Sequence, residues 1–157
     1  HGTAAYDITT TGEPAGMRPH FWEAMKYESA TYMQHLYGFI LSEGTDYQEL
    51  RPAWADVLPQ KAPGAPEKGL DGWSYMMRTA DKKLAMLYFE KASITAQLRG
   101  FLPDKTYGLK WFNTVNGVWS KGISLKTDKK GMLMMPDFPD GGKVALQDIA
   151  VKIKLAE

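Results

Sequence analysis

The sequence predicts a mainly β protein: an antiparallel β-sandwich of immunoglobulin or jelly-roll type, preceded by one long amphipathic helix. Two periodicities and a connector predict it. Over residues 73–155, short runs alternate apolar with polar side chains between turn residues, the pattern of half-buried strands. Over residues 19–41, apolar side chains recur instead at three- and four-residue steps, the pattern of one helix face. Between them, residues 58–69 hold three prolines and two glycines, the chemistry of a linker or wrapping loop. The charge divides at the same place, with a net of −5 over residues 1–60 and +6 over residues 61–157. The organisation expected is therefore 1–60, a connector at 61–69, and a sandwich over 70–157.

Each element has a local reason. Thr9-Thr10-Thr11-Gly12-Glu13-Pro14-Ala15-Gly16 is loop chemistry. Pro19 suits a first helical turn, where its missing N–H costs nothing, and Gly44 suits a stop. Trp22, Met25, Ser29, Met33, Leu36 and Ile40 form the stripe that expects protein rather than water. Residues 42–54 read as an irregular descent. Residues 84–90 are apolar on both faces and read as a central strand. Asn116-Gly117 is the strongest hairpin signal in the chain, with a return run expected over 119–125. Asp140-Gly141-Gly142 turns into a last strand, with Ile149, Val151, Ile153 and Leu155 facing in and Lys152 and Lys154 facing out.

Composition excludes several classes of function. The 157 residues are 44% hydrophobic and 24% charged, the make-up of a chain that folds. The longest apolar run spans 84–89, far short of the ~20 residues of a membrane helix, so no membrane span is expected. With no cysteine there is no disulfide, no thiolate metal site and no thiol nucleophile. Lysines in pairs beside turn residues, with no arginine cluster, argue against nucleic acid. His20 and His35 are ~22 Å apart along a helix and cannot share an ion, so no metal is expected, and no cofactor motif is present.

Candidates for binding are fewer. Glu13, in its Gly/Thr loop, is the carboxylate best able to reach a substrate, with Asp7 second; the other acids read as solvated helix and loop charges. Sugar rings stack on flat apolar faces with polar edges, which indoles and phenols offer. Trp119, just past the Asn116-Gly117 turn, is the candidate platform; Trp111, alternating with Lys110, reads as core.

Larger patterns carry a resemblance. Phe21-Trp22-Glu23-Ala24, then Met33-Gln34-His35-Leu36 and Arg51-Pro52, resemble the last barrel helix of the apiosidase-like glycoside hydrolases of polysaccharide-degrading bacteria. The run from Leu98-Arg99-Gly100-Phe101 through Tyr107, the Trp111-Phe112-Asn113 hairpin, and Met135-Pro136-Asp137-Phe138-Pro139 resemble that family's C-terminal module, which is named for collagen binding. Two departures stand out. Asn113-Thr114-Val115-Asn116-Gly117 lacks the family's Pro-Arg-Thr, and Asp148-Ile149 replaces its Asp-Trp.

The resemblance implies the C-terminal portion of a secreted or periplasmic glycoside hydrolase. Residues 1–60 would be the remnant of the last βα unit of a (β/α)8 barrel, and the sandwich its support. It implies an upstream barrel domain and a polysaccharide or oligosaccharide as partners. It places His1, Tyr6, Asp7 and Glu13 in a loop lining the substrate cleft, and the catalytic carboxylates outside this chain. Two alternatives remain open from the residues: a stand-alone carbohydrate- or protein-binding sandwich, and a purely structural domain.

Overall fold

The structure is a computed structural model that describes residues 28–65 and 71–156, with backbone alone for 28–30. Among the described residues, one helix, α1 (Glu28–Ile40), runs into short 3-10 turns at Leu41–Glu43 and Asp46–Glu49. Nine strands follow among them: β1 (Leu50–Pro52), β2 (Val57–Leu58), β3 (Ser74–Thr79), β4 (Leu84–Phe89), β5 (Gln97–Leu98), β6 (Thr106–Asn113), β7 (Ile123–Lys126), β8 (Leu133–Met134) and β9 (Ile149–Leu155). They form an antiparallel six-stranded sheet, ordered β1-β3-β4-β9-β6-β7, and a three-stranded sheet, ordered β2-β5-β8.

The main core lies between the two sheets. Val57, Leu98 and Leu133 of the small sheet meet Met76, Leu87, Tyr107, Leu109, Val151 and Ile153 of the large one. The large sheet also buries part of its other face, where Phe39 of α1 packs with Leu50, Leu84, Met86, Phe112 and Ala150. That double burial explains β4. Leu84 and Met86 face the helix while Ala85, Leu87 and Phe89 face the small sheet, so the strand is apolar throughout. It sits between β3 and β9, the central position its sequence predicts.

Several expectations need correction. The long helix expected over 19–41 is described as 13 residues, Glu28–Ile40; residues 19–27 lie outside the described residues. Its buried contact is Phe39, while Met33 and Leu36 of the expected stripe are 52% and 48% exposed. Residues 42–54 are not merely irregular. β1 adds an edge to the large sheet and β2 pairs with β5 in the small one, so the sandwich begins at Leu50. Strands of two and three residues carry too little alternation to read as a period. The return after the hairpin is broken in two: Trp119 bridges Phe112 and Ser120 donates its N–H to the Trp111 carbonyl at 2.8 Å, but the Ser120 hydroxyl takes the Trp111 N–H at 3.0 Å, and the regular strand resumes only at Ile123–Lys126. Lys152 and Lys154 do face out, away from the main core, and both pair with Glu43, Lys152 at 2.6 Å; Lys152 is largely covered there, while Lys154 stays half-exposed.

Candidate functional site

The hairpin closing β6 is where helix and sandwich meet. Its loop is built around Asn113, whose side-chain oxygen accepts from the Val115 and Asn116 N–H groups at 2.9 and 3.1 Å. Asn116 accepts in turn from the Val118 N–H at 3.1 Å. Gly117 takes a φ of 71° and leaves its surface bare for the His35 ring. His35 also places Nδ1 3.1 Å from the Thr114 carbonyl, tying α1 to the loop.

Trp119 follows this loop. Its ring stacks on Phe39 at 5.6 Å between centroids and meets Phe112 at 4.7 Å. The Lys152 ammonium lies 4.6 Å from the ring centroid, a cation–π contact. The indole is half-buried in this junction. It also lines a cavity of about 500 Å³ with Trp111, Asn113, Asn116, Phe138, Asp140 and Gln147. The other sequence candidates, His1, Tyr6, Asp7 and Glu13, lie outside the described residues. Among the described residues no three of His, Asp and Glu come together as a metal site.

A second, larger concavity of about 1240 Å³ runs beneath α1 along the outer face of β3 and β4. Tyr32, Met33 and Leu36 form one wall, and Tyr75, Met77, Met86 and Tyr88 form the other. Tyr75 and Tyr88 are direct cross-strand partners. At this end the wall turns polar. The Tyr75 hydroxyl donates to Glu90 at 3.3 Å, and the Tyr88 hydroxyl donates to Asp148 at 2.7 Å. Glu90 also accepts from the Trp73 N–H at 3.2 Å, and Asp148 from the Lys91 N–H at 2.8 Å.

The electrostatics follow burial. Burial raises the Glu90 carboxyl above its ordinary value, and the neighbouring Asp148 and Asp71 charges add to that, against the hydrogen bonds from Trp73 and Tyr75. Tyr88 is raised by burial first and then by its bond to Asp148, and Tyr75 by burial and then by Glu90. Both carboxylates are held by main-chain N–H groups, so their chemistry here is anchoring of strand ends.

The sequence places Tyr75 and Tyr88 among the aromatics of the predicted strands, but it does not show that they face each other or that Glu90 and Asp148 meet them.

Comparison with known proteins gives the fold a context. No protein-family model and no curated protein matches the sequence. Solved structures do match. One is described as a glycoside hydrolase, at a TM-score of 0.64 and 14% identity, covering 92% of this chain and 29% of that one. Another is a glycoside hydrolase family 5 protein from Bacteroides vulgatus ATCC 8482, at a TM-score of 0.58 and 14% identity, covering 87% of this chain and 26% of that one. At such identity the likeness is one of fold. The chain spans less than a third of either neighbour. Neither description names the apiosidase-like family or a collagen-binding domain.

Proposed function

We propose that this chain is the non-catalytic, C-terminal β-sandwich portion of a carbohydrate-active glycoside hydrolase, and that it supports a catalytic barrel held in the rest of the polypeptide. The observation that carries this reading is the coverage: nearly all of this chain, and under a third of each glycoside hydrolase, share one fold. The wide apolar groove beneath α1 supports it. Met33, Leu36 and Met77 leave their side chains half open along that groove, a surface suited to protein contact. On this reading the groove seats the catalytic part, and residues 1–60 carry the end of the barrel into the sandwich. The assignment to the apiosidase-like branch, an extracellular or periplasmic location, and substrate contacts through His1, Tyr6, Asp7, Glu13 and Trp119 belong to the same proposal.

The test is turnover. Purified as the 157-residue chain, the protein should hydrolyse no aryl glycoside and no plant polysaccharide above background. Turnover that disappears in Glu13→Gln would make it a compact enzyme and overturn the proposal.

A further inference from the structure

The outer face of the large sheet changes character along β6 and β9. Phe112 and Ala150, cross-strand partners, belong to the apolar cluster under α1. Two residues further from the hairpin the face turns basic. Lys110 opposes Lys152, and the next outward pair is Gly108 and Lys154. β7 continues the face on the other side, with Ser124 opposite Gly108 and Lys126 opposite Thr106. Cross-strand partners share one side of a sheet, so these residues form rows across the strands. Lys152 and Lys110 make one row, and Thr106 and Lys126 another. Between them Lys154, Gly108 and Ser124 make a low row that reaches the open edge of the sheet at β7.

Two observations on this face point to a ligand. Like charges directly opposite each other on paired strands are destabilising. Lys152 and Lys154 share Glu43, but Lys110 and Lys126 are exposed and form no ion pair among the described residues. Lysines guard edge strands against pairing, which accounts for Lys126 on β7; Lys110 stands on β6, between β9 and β7. The second observation is Gly108. It lies in the middle of an eight-residue strand, without a positive φ. A Cβ there would meet nothing nearer than the Lys154 carbonyl oxygen at 3.9 Å, an ordinary contact. Neither backbone conformation nor packing calls for glycine, and a glycine inside a strand costs stability. Such a glycine marks close approach by another molecule. The approach is from outside, over a floor flanked by ammonium groups.

The composition of the face narrows the partner. Protein interfaces are rich in aromatic side chains, methionine and arginine and poor in lysine. Single-stranded nucleic acid needs aromatic rings for its bases. This face has lysines, small residues and the hydroxyls of Thr106 and Ser124, with no apolar anchor. That suits a hydrated, extended polyanion rich in hydroxyls. We propose that the face binds an acidic polysaccharide, one carrying carboxylates along its length, which crosses β6 over Gly108 between Lys110 and Lys126. The choice of a saccharide rests on the carbohydrate-active reading above. The charge of the ligand and its path rest on the lysines and the glycine.

The 157-residue chain is titrated by calorimetry at low salt with oligogalacturonate, with cellohexaose as a neutral saccharide and poly-glutamate as an acidic peptide. Oligogalacturonate should bind more tightly than poly-glutamate and weaken as salt rises, and cellohexaose should not bind. Lys110→Glu with Lys126→Glu turns two attractions into two repulsions and should weaken oligogalacturonate about tenfold or more. Lys129→Glu with Lys143→Glu makes the same charge change on exposed loops and should cost clearly less. Gly108→Thr keeps every lysine, should not lower the melting temperature, and should still weaken binding several-fold by filling the floor. No binding of oligogalacturonate, poly-glutamate binding at least as tightly, equal losses in the two double variants, or unchanged binding in Gly108→Thr each overturns the proposal. Failure here beside a parent protein that hydrolyses glycosides would remove this face and leave the proposed function standing; success beside a parent that hydrolyses none would do the reverse.

Discussion

Gly131 has a φ of 73°, and a Cβ there would run into the main chain at the Phe101 carbonyl. The obstruction is backbone, which cannot swing aside. Gly131→Ala should therefore destabilise the chain by at least about 1–3 kcal/mol from the strained backbone alone, read as a fall in melting temperature. Gly117 is the contrasting case. Its φ is also positive, but the group a Cβ would meet is the His35 ring, at 2.6 Å. A side chain can move, and moving it lifts α1 from the hairpin. Gly117→Ala should thus loosen the helix more than the sandwich. Amide exchange should accelerate in Glu28–Ile40 while β4 and β9 stay protected; equal loss in both would show that the helix and sheets open together.

Besides the packing of Phe39 on Ala150, one carboxylate links the turn after α1 to β9. Glu43, just after α1, joins Lys152 and Lys154 of β9, and Lys152 also sits over Trp119. Burial alone would raise the Glu43 carboxyl, but the hydrogen bonds and charges of the two lysines outweigh it and hold the carboxyl below its ordinary value. A depressed folded-state value means stability that is present above the unfolded value of about 4.3 and lost as pH falls through the folded value. Glu43→Gln should cost about 1–2 kcal/mol at neutral pH, and the gap to the unchanged protein should close below about pH 4. A gap that persists into acid would show that Glu43 acts by packing.

The same junction marks the limit of what the sequence reveals at this scale. β4, β6 and β9 are legible because six to eight residues carry a full alternation or a continuous apolar run. β1, β2, β5 and β8 span two or three residues and are held by partners far away in sequence. The outward lysines of β9 are legible as polar, but their partner Glu43 is 109 residues away and leaves no trace in the local pattern. The candidate site divides likewise. Trp119 is visible from the turn before it, whereas the cavity beside it depends on Phe138 and Gln147, which only the fold brings near.

At the scale of the whole molecule, the sandwich has one face served by its own small sheet and another only partly covered by α1. Met77 lies on the uncovered part and is 43% exposed. In the 157-residue chain, Met77→Lys is a surface change and should alter stability by less than about 0.5 kcal/mol. If, as proposed, a longer parent polypeptide seats its catalytic part in the groove, the same lysine would be buried there without a partner, and the parent's melting transition should fall or split in two. The same small effect in both settings would place the catalytic part elsewhere than the groove.

The most direct measurement is a native-gel zymogram of extract from cells that express the gene, with the band located by antibody to this chain and overlaid with fluorogenic aryl glycosides. Because the chain spans 29% and 26% of its structural neighbours, the account predicts that the immunoreactive product has about three times the 17.6 kDa of this chain. That band should release the fluorophore from at least one glycoside. An immunoreactive product of 17.6 kDa with no glycosidase activity would contradict the account.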